Sequence, residues 1–173
     1  LMNILLYIIR KCLNTAIVLC ILCYTYSFGQ SYQFKNYSIE DGLAQLEIRS
    51  ICQDKFSNIW FGTNGGGISV FDGIRFVNFT ENDGLISDKV NYIFNDNEGD
   101  LWICTNKGLS FIKGNSFEFG NNITPTFINY STSSGLADEN VWCAMQDKDG
   151  FIWFGTNDGL SKLKSKEDQK EGN

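Results

Sequence analysis

The chain has 173 residues with 14 Lys+Arg, 20 Asp+Glu and no histidine, one proline, six cysteines and 17 glycines, which is room for one domain of ordinary size. A hydrophobic fraction of 43% excludes wholesale disorder, and a net charge of -6, or 12 minus 20 = -8 once the leader's Arg10 and Lys11 are set aside, disfavours nucleic acid and anionic membrane surfaces as partners. Without histidine there is no Ser-His-Asp or Cys-His nucleophile, no histidine metal site and no phosphohistidine.

The first element is a leader over residues 1–29. Arg10 and Lys11 precede the apolar run Leu13 to Tyr24, and the stretch Thr25-Tyr26-Ser27-Phe28-Gly29 follows. Charge, apolar run and a Ser-x-Gly step read as a secretory signal with cleavage near Gly29-Gln30. The run is short for a spanning helix, which needs ~20 apolar residues. Ile4 to Ile9 is also apolar, however, so a longer membrane anchor through residues 4–28 is the alternative. Either way the body is expected to be exported, to the periplasm or anchored at the inner membrane facing it. Cys52, Cys104 and Cys143 remain in the body, with no C-x-x-C spacing, and read as small buried hydrophobes on strands.

Residues 30–163 are built from three copies of one unit. FKNYSIEDGL (Phe34 to Leu43) recurs as FVNFTENDGL (Phe76 to Leu85) and FINYSTSSGL (Phe127 to Leu136). Past each Gly-Leu pair come an aspartate (Asp54, Asp96, Asp147), a tryptophan (Trp60, Trp102, Trp153) and a Thr-Asn pair beginning at Thr63, Thr105 and Thr156, always at the same spacing. The repeats run over about 34–75, 76–126 and 127–163, and a polar tail, 164–173, follows. Each unit divides into short aromatic and β-branched runs bounded by turn residues, with no helical period. In the second copy the runs are Val90 to Asn95, Leu101 to Thr105, Leu109 to Lys113 and Phe117 to Phe119. Four such strands per ~40 residues make one blade of a propeller. The fold class is therefore all-β: a partial propeller of three four-stranded antiparallel blades after an N-terminal helix. Phe34 to Tyr37 is expected as an outer strand. In the D-x-x-G turns the aspartate caps and the glycine is left-handed; Ser57 replaces that glycine in the first copy and predicts a looser turn.

The segments DKFSNIWFGTNGGGIS, DNEGDLWICTNKGLS and DKDGFIWFGTNDGLS resemble the two-component regulator propeller repeat. The resemblance implies the exported sensor region of a hybrid two-component system of the Bacteroidetes type. In full-length relatives it implies further blades and a histidine kinase, with oligosaccharide as the signal. No kinase or other catalytic motif lies in this chain, no cofactor is implied, and the acid-containing turns lack the ligand number that calcium needs.

Residues identical in every copy solve a problem that every blade has. Asp54, Asp96 and Asp147 form turns. Trp60, Trp102 and Trp153 fill the wedge between sheets, and Thr63, Thr105 and Thr156 with the following asparagines build the turn into the third strand, the asparagines tolerating left-handed geometry. Binding is sought where the copies differ on a shared face. Seven residues past each Gly-Leu glycine, at the start of the innermost strand, stand Arg49, Asn91 and Trp142, with Glu47, Lys89 and Asn140 nearby. A guanidinium, an amide and an indole around one opening suit a small polar ligand such as a sugar. The alternative is an exported scaffold for protein–protein interaction, without signalling output.

Overall fold

The computed structural model describes residues 2–24, 32–114 and 125–163. The chain divides into two units, Leu1–Asn36 and Tyr37–Asn173. In the first, helix α1 (Met2–Tyr24, 23 residues) runs without a break through Arg10 and Lys11 and joins the two apolar segments. At 1.5 Å per residue it is roughly 35 Å long, against an apolar bilayer thickness of ~30 Å. It is the one helix among the described residues long and apolar enough to cross a membrane. The Gly29-Gln30 step lies outside the described residues.

The second unit is three antiparallel sheets in succession. The first holds β1 (Ile48–Gln53), β2 (Ile59–Thr63), β3 (Ile68–Phe71) and β4 (Phe76–Phe79). The second holds β5 (Val90–Asn95), β6 (Leu101–Thr105), β7 (Gly108–Ile112) and β8 (Ile128–Tyr130). The third holds β9 (Val141–Gln146), β10 (Ile152–Thr156) and β11 (Gly159–Leu163). The innermost strands β1, β5 and β9 neighbour one another, as the inner strands of propeller blades do. Among the described residues of this unit, helix is confined to single 3-10 turns at Ile39–Asp41, Glu81–Asp83 and Thr132–Ser134.

Three strand assignments differ from the sequence reading. The fourth strand of the second sheet is β8, not Phe117 to Phe119, which lies outside the described residues. The pairing Phe111↔Ile128 shows why: the motif that opens each repeat closes the sheet before it, as Phe71↔Phe76 does in the first sheet. The third sheet accordingly has three described strands rather than four. Phe34 to Tyr37 carries no strand, because no third strand among the described residues precedes it as β3 precedes β4.

Strand alternation builds two cores from one central sheet. On β6, Leu101 and Ile103 join Trp60, Ile68, Val70 and Phe79 of the first sheet, while Trp102 and Cys104 join Val141, Ile152 and Phe154 of the third. A sheet covered on both faces is apolar in both registers, and all of β6 is buried. Gly62 makes room in the first interface, since a Cβ there would stand 2.6 Å from Val90 of the next sheet. Cys104 is buried and Cys52 half-buried, as expected of small hydrophobes, whereas Cys143 is exposed on the third sheet.

Each turn between the first two strands of a sheet is held by its aspartate. Asp54 Oδ1 accepts from the backbone N–H of Phe56 and Asn58, both at 2.9 Å, and Asp96 and Asp147 repeat the pattern. Gly99 (φ 81°) and Gly150 (φ 86°) take the left-handed position. Ser57 takes it too, at φ 70°, and its turn keeps the same backbone bonds, so the turn is strained rather than loose. The Thr-Asn asparagines do not need left-handed geometry, because in each hairpin a following glycine adopts it, as Gly108 does at φ 128°.

Relieving the strain at Ser57 should stabilise the fold. A left-handed non-glycine residue costs about 1–2 kcal/mol, and glycine's chain entropy returns about 0.5–1 kcal/mol of that. Ser57→Gly is expected to raise the chemical-denaturation midpoint by the equivalent of up to about 1.5 kcal/mol, and a lower midpoint would contradict the strain.

Candidate functional site

The site at the loop end of the sheets begins with a backbone irregularity. Register passes from Ile48↔Thr63 to Ser50↔Gly62 and leaves Arg49 unpaired. The same slip leaves Asn91 between Val90↔Thr105 and Tyr92↔Cys104, and Trp142 between Val141↔Thr156 and Cys143↔Gly155. All three variable residues are thus β-bulge residues at the start of an innermost strand. A bulge adds one residue, kinks the strand and re-aims a side chain. The backbone detail is repeated and the side chain it presents is not.

Arg49 and Asn91 are brought together. The Arg49 guanidinium donates from Nη1 to Asn91 Oδ1 at 3.0 Å and approaches Glu47 Oε1 from Nε at 3.4 Å. Asn91 Nδ2 in turn donates to Asn140 Oδ1 at 3.0 Å and to the Val141 carbonyl at 2.8 Å. Asn91 is buried, and both ends of its amide are spent on linking the three sheets. Trp142 remains half exposed, at 50%, with its indole Nε1 donating to Asn157 Oδ1 at 2.6 Å. The surfaces left to an incoming molecule are the outer part of Arg49 and the Trp142 ring, with Asn91 fixing the guanidinium.

The repeated asparagines support these side chains, a role that the sequence reading did not assign. The backbone N–H groups of Asn64, Asn106 and Asn157 donate to the carbonyls of Glu47, Lys89 and Asn140. Their side chains then serve whatever the copy offers: Asn64 Nδ2 donates to Glu47 Oε2 at 2.8 Å, Asn106 Oδ1 accepts from Ser87, and Asn157 Oδ1 accepts from Trp142. The Asn64 amide holds the Glu47 carboxyl below its ordinary range against the opposing effect of burial, and the Arg49 guanidinium adds to the lowering. The recurrence of Thr-Asn beside variable positions was the available signal. Among the described residues no three Cys, Asp or Glu side chains converge to hold a metal.

Two of the three repeated tryptophans pack between described sheets and the third does not. Trp60 and Trp102 are buried between sheets, and Trp153 lies on the far face of the third sheet, partly exposed, with the Lys162 ammonium 4.8 Å from its ring centre. In every sheet the turn aspartate also accepts the indole N–H six residues on: Trp60 to Asp54 at 2.8 Å, Trp102 to Asp96 at 3.0 Å and Trp153 to Asp147 at 2.7 Å. Thr63, Thr105 and Thr156 each donate from Oγ1 to a glycine carbonyl across the hairpin at 2.9 Å. Third-strand serines hold the Gly-Leu loops, with Ser69, Ser110 and Ser161 accepting from the backbone of Ala44, Ile86 and Ala137.

A sheet succession of this kind, with a bulge residue presented at the same end of each innermost strand, defines a β-propeller repeat protein. The family model for the two component regulator propeller matches residues 42–65, 84–107 and 135–158. The chain belongs to the two-component regulator propeller family. No curated protein matches it significantly. Among solved structures it is similar to one described as the extracellular domain of a hybrid two component system from B. thetaiotaomicron, at 19% identity and TM-score 0.50, over 84% of this chain and 25% of that one. A second such extracellular domain from B. thetaiotaomicron matches at 26% identity and TM-score 0.57, over 70% of this chain and 18% of that one. PorZ, a surface component of the type-IX secretion system of Porphyromonas gingivalis, shares the fold at 15% identity and TM-score 0.50, over 67% of this chain and 17% of that one. The chain thus spans a quarter or less of the length of these proteins.

The aspartate clasp has a pH signature in the third sheet. The Trp153 indole bond, then the backbone bonds of Phe151 and Asp149, hold Asp147 below its ordinary value of 3.8 against desolvation. A folded value below the unfolded one gives stability that is complete above about pH 4 and lost as pH falls through the folded value. Asp147→Asn should flatten the fall in melting temperature between pH 5 and pH 2.5 relative to the parent. An unchanged acid limb would show that the clasp is not coupled to folding.

Proposed function

We propose that the chain is the ligand-sensing propeller module of an exported two-component regulatory protein and that it recognises a small polar molecule of the oligosaccharide type. What carries this reading is the division of labour at the loop end. Bulge geometry, Thr-Asn turns and serine ties are constant, while the presented side chains are Arg49, Asn91 and Trp142. An exposed indole face offers a stacking platform of about 0.5–1.5 kcal/mol beyond area burial. A guanidinium fixed by Asn91 offers planar donors worth about 1.5–3 kcal/mol to a charged partner. The module itself is non-catalytic. Membrane attachment through residues 4–28, or their removal as a signal, places it in the periplasm, and the response belongs to a kinase region of the full-length protein.

The scaffold reading draws on a different observation. Ile51, Met145 and Leu160 are exposed on the two outward faces of the sheet stack, at 66%, 55% and 61%. Exposed apolar surface of that kind serves protein contacts. Titration of the purified chain with an oligosaccharide panel, beside thermal melts, separates the two. Trp142→Ala should weaken binding about three- to tenfold with little change in melting temperature. Trp60→Ala should cost about 3–5 kcal/mol of stability. If the parent binds no member of the panel, or Trp142→Ala binds as the parent does, the scaffold reading takes precedence.

A further inference from the structure

Helix α1 carries a polar stripe that its apolar composition hides. Successive residues of an α-helix turn by about 100°, so Asn3, Tyr7, Arg10, Lys11, Asn14 and Thr15 fall within an arc of about 140°. Ile4 and Val18 interrupt that arc, and every other position from Met2 to Leu19 is apolar and exposed. The side chains on the stripe meet one another. The Lys11 ammonium stands 5.6 Å from the centre of the Tyr7 ring, one turn back. Thr15 Oγ1 donates to the carbonyls of Lys11 and Cys12 at 3.1 and 2.9 Å, which satisfies its hydroxyl within the helix. From Met2 to Tyr24 there is no Asp or Glu to offset Arg10 and Lys11.

The width of the two faces decides what they fit. A helix packed on a protein core shows an apolar stripe of about 100°, whereas the apolar arc here is about 220°, wider than one protein surface covers. A bilayer offers two placements. If α1 crosses it, Arg10 and Lys11 lie roughly 12–14 Å along the axis from Met2, near the middle of an apolar layer ~30 Å thick. Each charge there weakens insertion roughly a hundredfold. If α1 lies flat, the polar arc meets the headgroups and the apolar arc sinks about 5–10 Å into the acyl boundary, with the Arg and Lys stems lying along it. Two cations without an acid complement an anionic headgroup layer. The rest of the chain is net negative, so that attraction belongs to α1 alone.

We propose that α1, over Met2 to Leu19, is an interfacial helix: it lies in the plane of an anionic phospholipid surface rather than across the bilayer. Arg10 and Lys11, on either side of the midline of the stripe, hold the headgroup phosphates, and Tyr7 between them places its ring at headgroup level. The arrangement depends on the residues of α1 and not on what the propeller binds.

The test moves the full chain from detergent to vesicles of phosphatidylcholine, or of equal parts phosphatidylcholine and phosphatidylglycerol, and reads binding by flotation. Each basic side chain at an anionic surface is worth roughly fivefold in partitioning, so the mixed vesicles should bind about tenfold or more tightly. Arg10→Gln with Lys11→Gln should remove that gain, as should raising salt from ~0.1 M to ~1 M, where the Debye length falls from ~10 Å to ~3 Å. Orientation is read with a nitroxide amino acid placed singly at Leu5, Tyr7, Ile9, Leu13 or Asn14, its depth given by collision with oxygen and with a water-soluble nickel complex. Positions 5, 9 and 13 should lie deep and positions 7 and 14 shallow. Neighbouring positions 13 and 14 at one depth, both deeper than position 5, would mean a spanning helix and overturn the proposal. Equal binding to the two vesicles, no binding to either, or mixed-vesicle binding indifferent to the double substitution would overturn it as well.

Discussion

One carboxylate per sheet fixes the arrangement on which the rest depends. In each copy the turn aspartate uses one oxygen to gather the N–H groups of a tight turn and the other to hold the indole of a tryptophan on the following strand. The hydrogen bond removes the cost of burying an indole N–H, which would otherwise be left unpaired in an apolar interface. With its polar atom satisfied, the ring is free to act as packing material. Trp60 and Trp102 then set the two sheet-to-sheet cores, and the positions of the inner strands follow from those cores.

The second consequence is the separation of constant from variable. Because the clasp, the Thr-Asn hairpin and the serine tie hold each sheet and its loop without help from the bulge position, that position can change. Arg49, Asn91 and Trp142 occupy one backbone environment with three chemistries. Asn91 has taken up a structural duty, binding Arg49 on one side and the third sheet on the other. That leaves Arg49 and Trp142 as the groups that face outward.

Much of this was legible in the sequence because repetition filters out accident. Apolar runs between turn residues located the first three strands of the second sheet to within a residue, but not its fourth. That error has a physical origin. Phe117 to Phe119 has strand composition, but strand identity there is decided by pairing, and Ile128 finds Phe111 across the ladder. The left-handed role assigned to Asn64, Asn106 and Asn157 failed for a related reason. Asparagine tolerates that conformation, but a neighbouring glycine adopts it at lower cost. At the site, the equivalence of Arg49, Asn91 and Trp142 could be read from spacing alone. Their bulges and the Arg49–Asn91 bond could not, because the bulges depend on the register of paired strands within each sheet and the bond on how strands 42 residues apart come together.

The stack also shows how unequal the ends of a repeat array are. The central sheet is apolar on both faces and covered on both. The outer sheets carry the same alternation, so Ile51 on one side and Met145 and Leu160 on the other present core residues to water. The aromatic group of Tyr37, Phe71 and Phe76 partly covers the first face, and Lys162 lies over the Trp153 and Phe151 rings of the third sheet.

The clasp is tested most directly by a double-mutant cycle between Asp54→Ala and Trp60→Phe, with unfolding free energies from chemical denaturation. Removing the carboxylate and removing the indole N–H delete the same bond. The two losses should therefore overlap, leaving a coupling energy of about 1–2 kcal/mol, as for a buried charge-assisted bond. Losses that add to within about 0.3 kcal/mol would mean that the aspartate and the tryptophan act independently, and the account built on their bond would not stand.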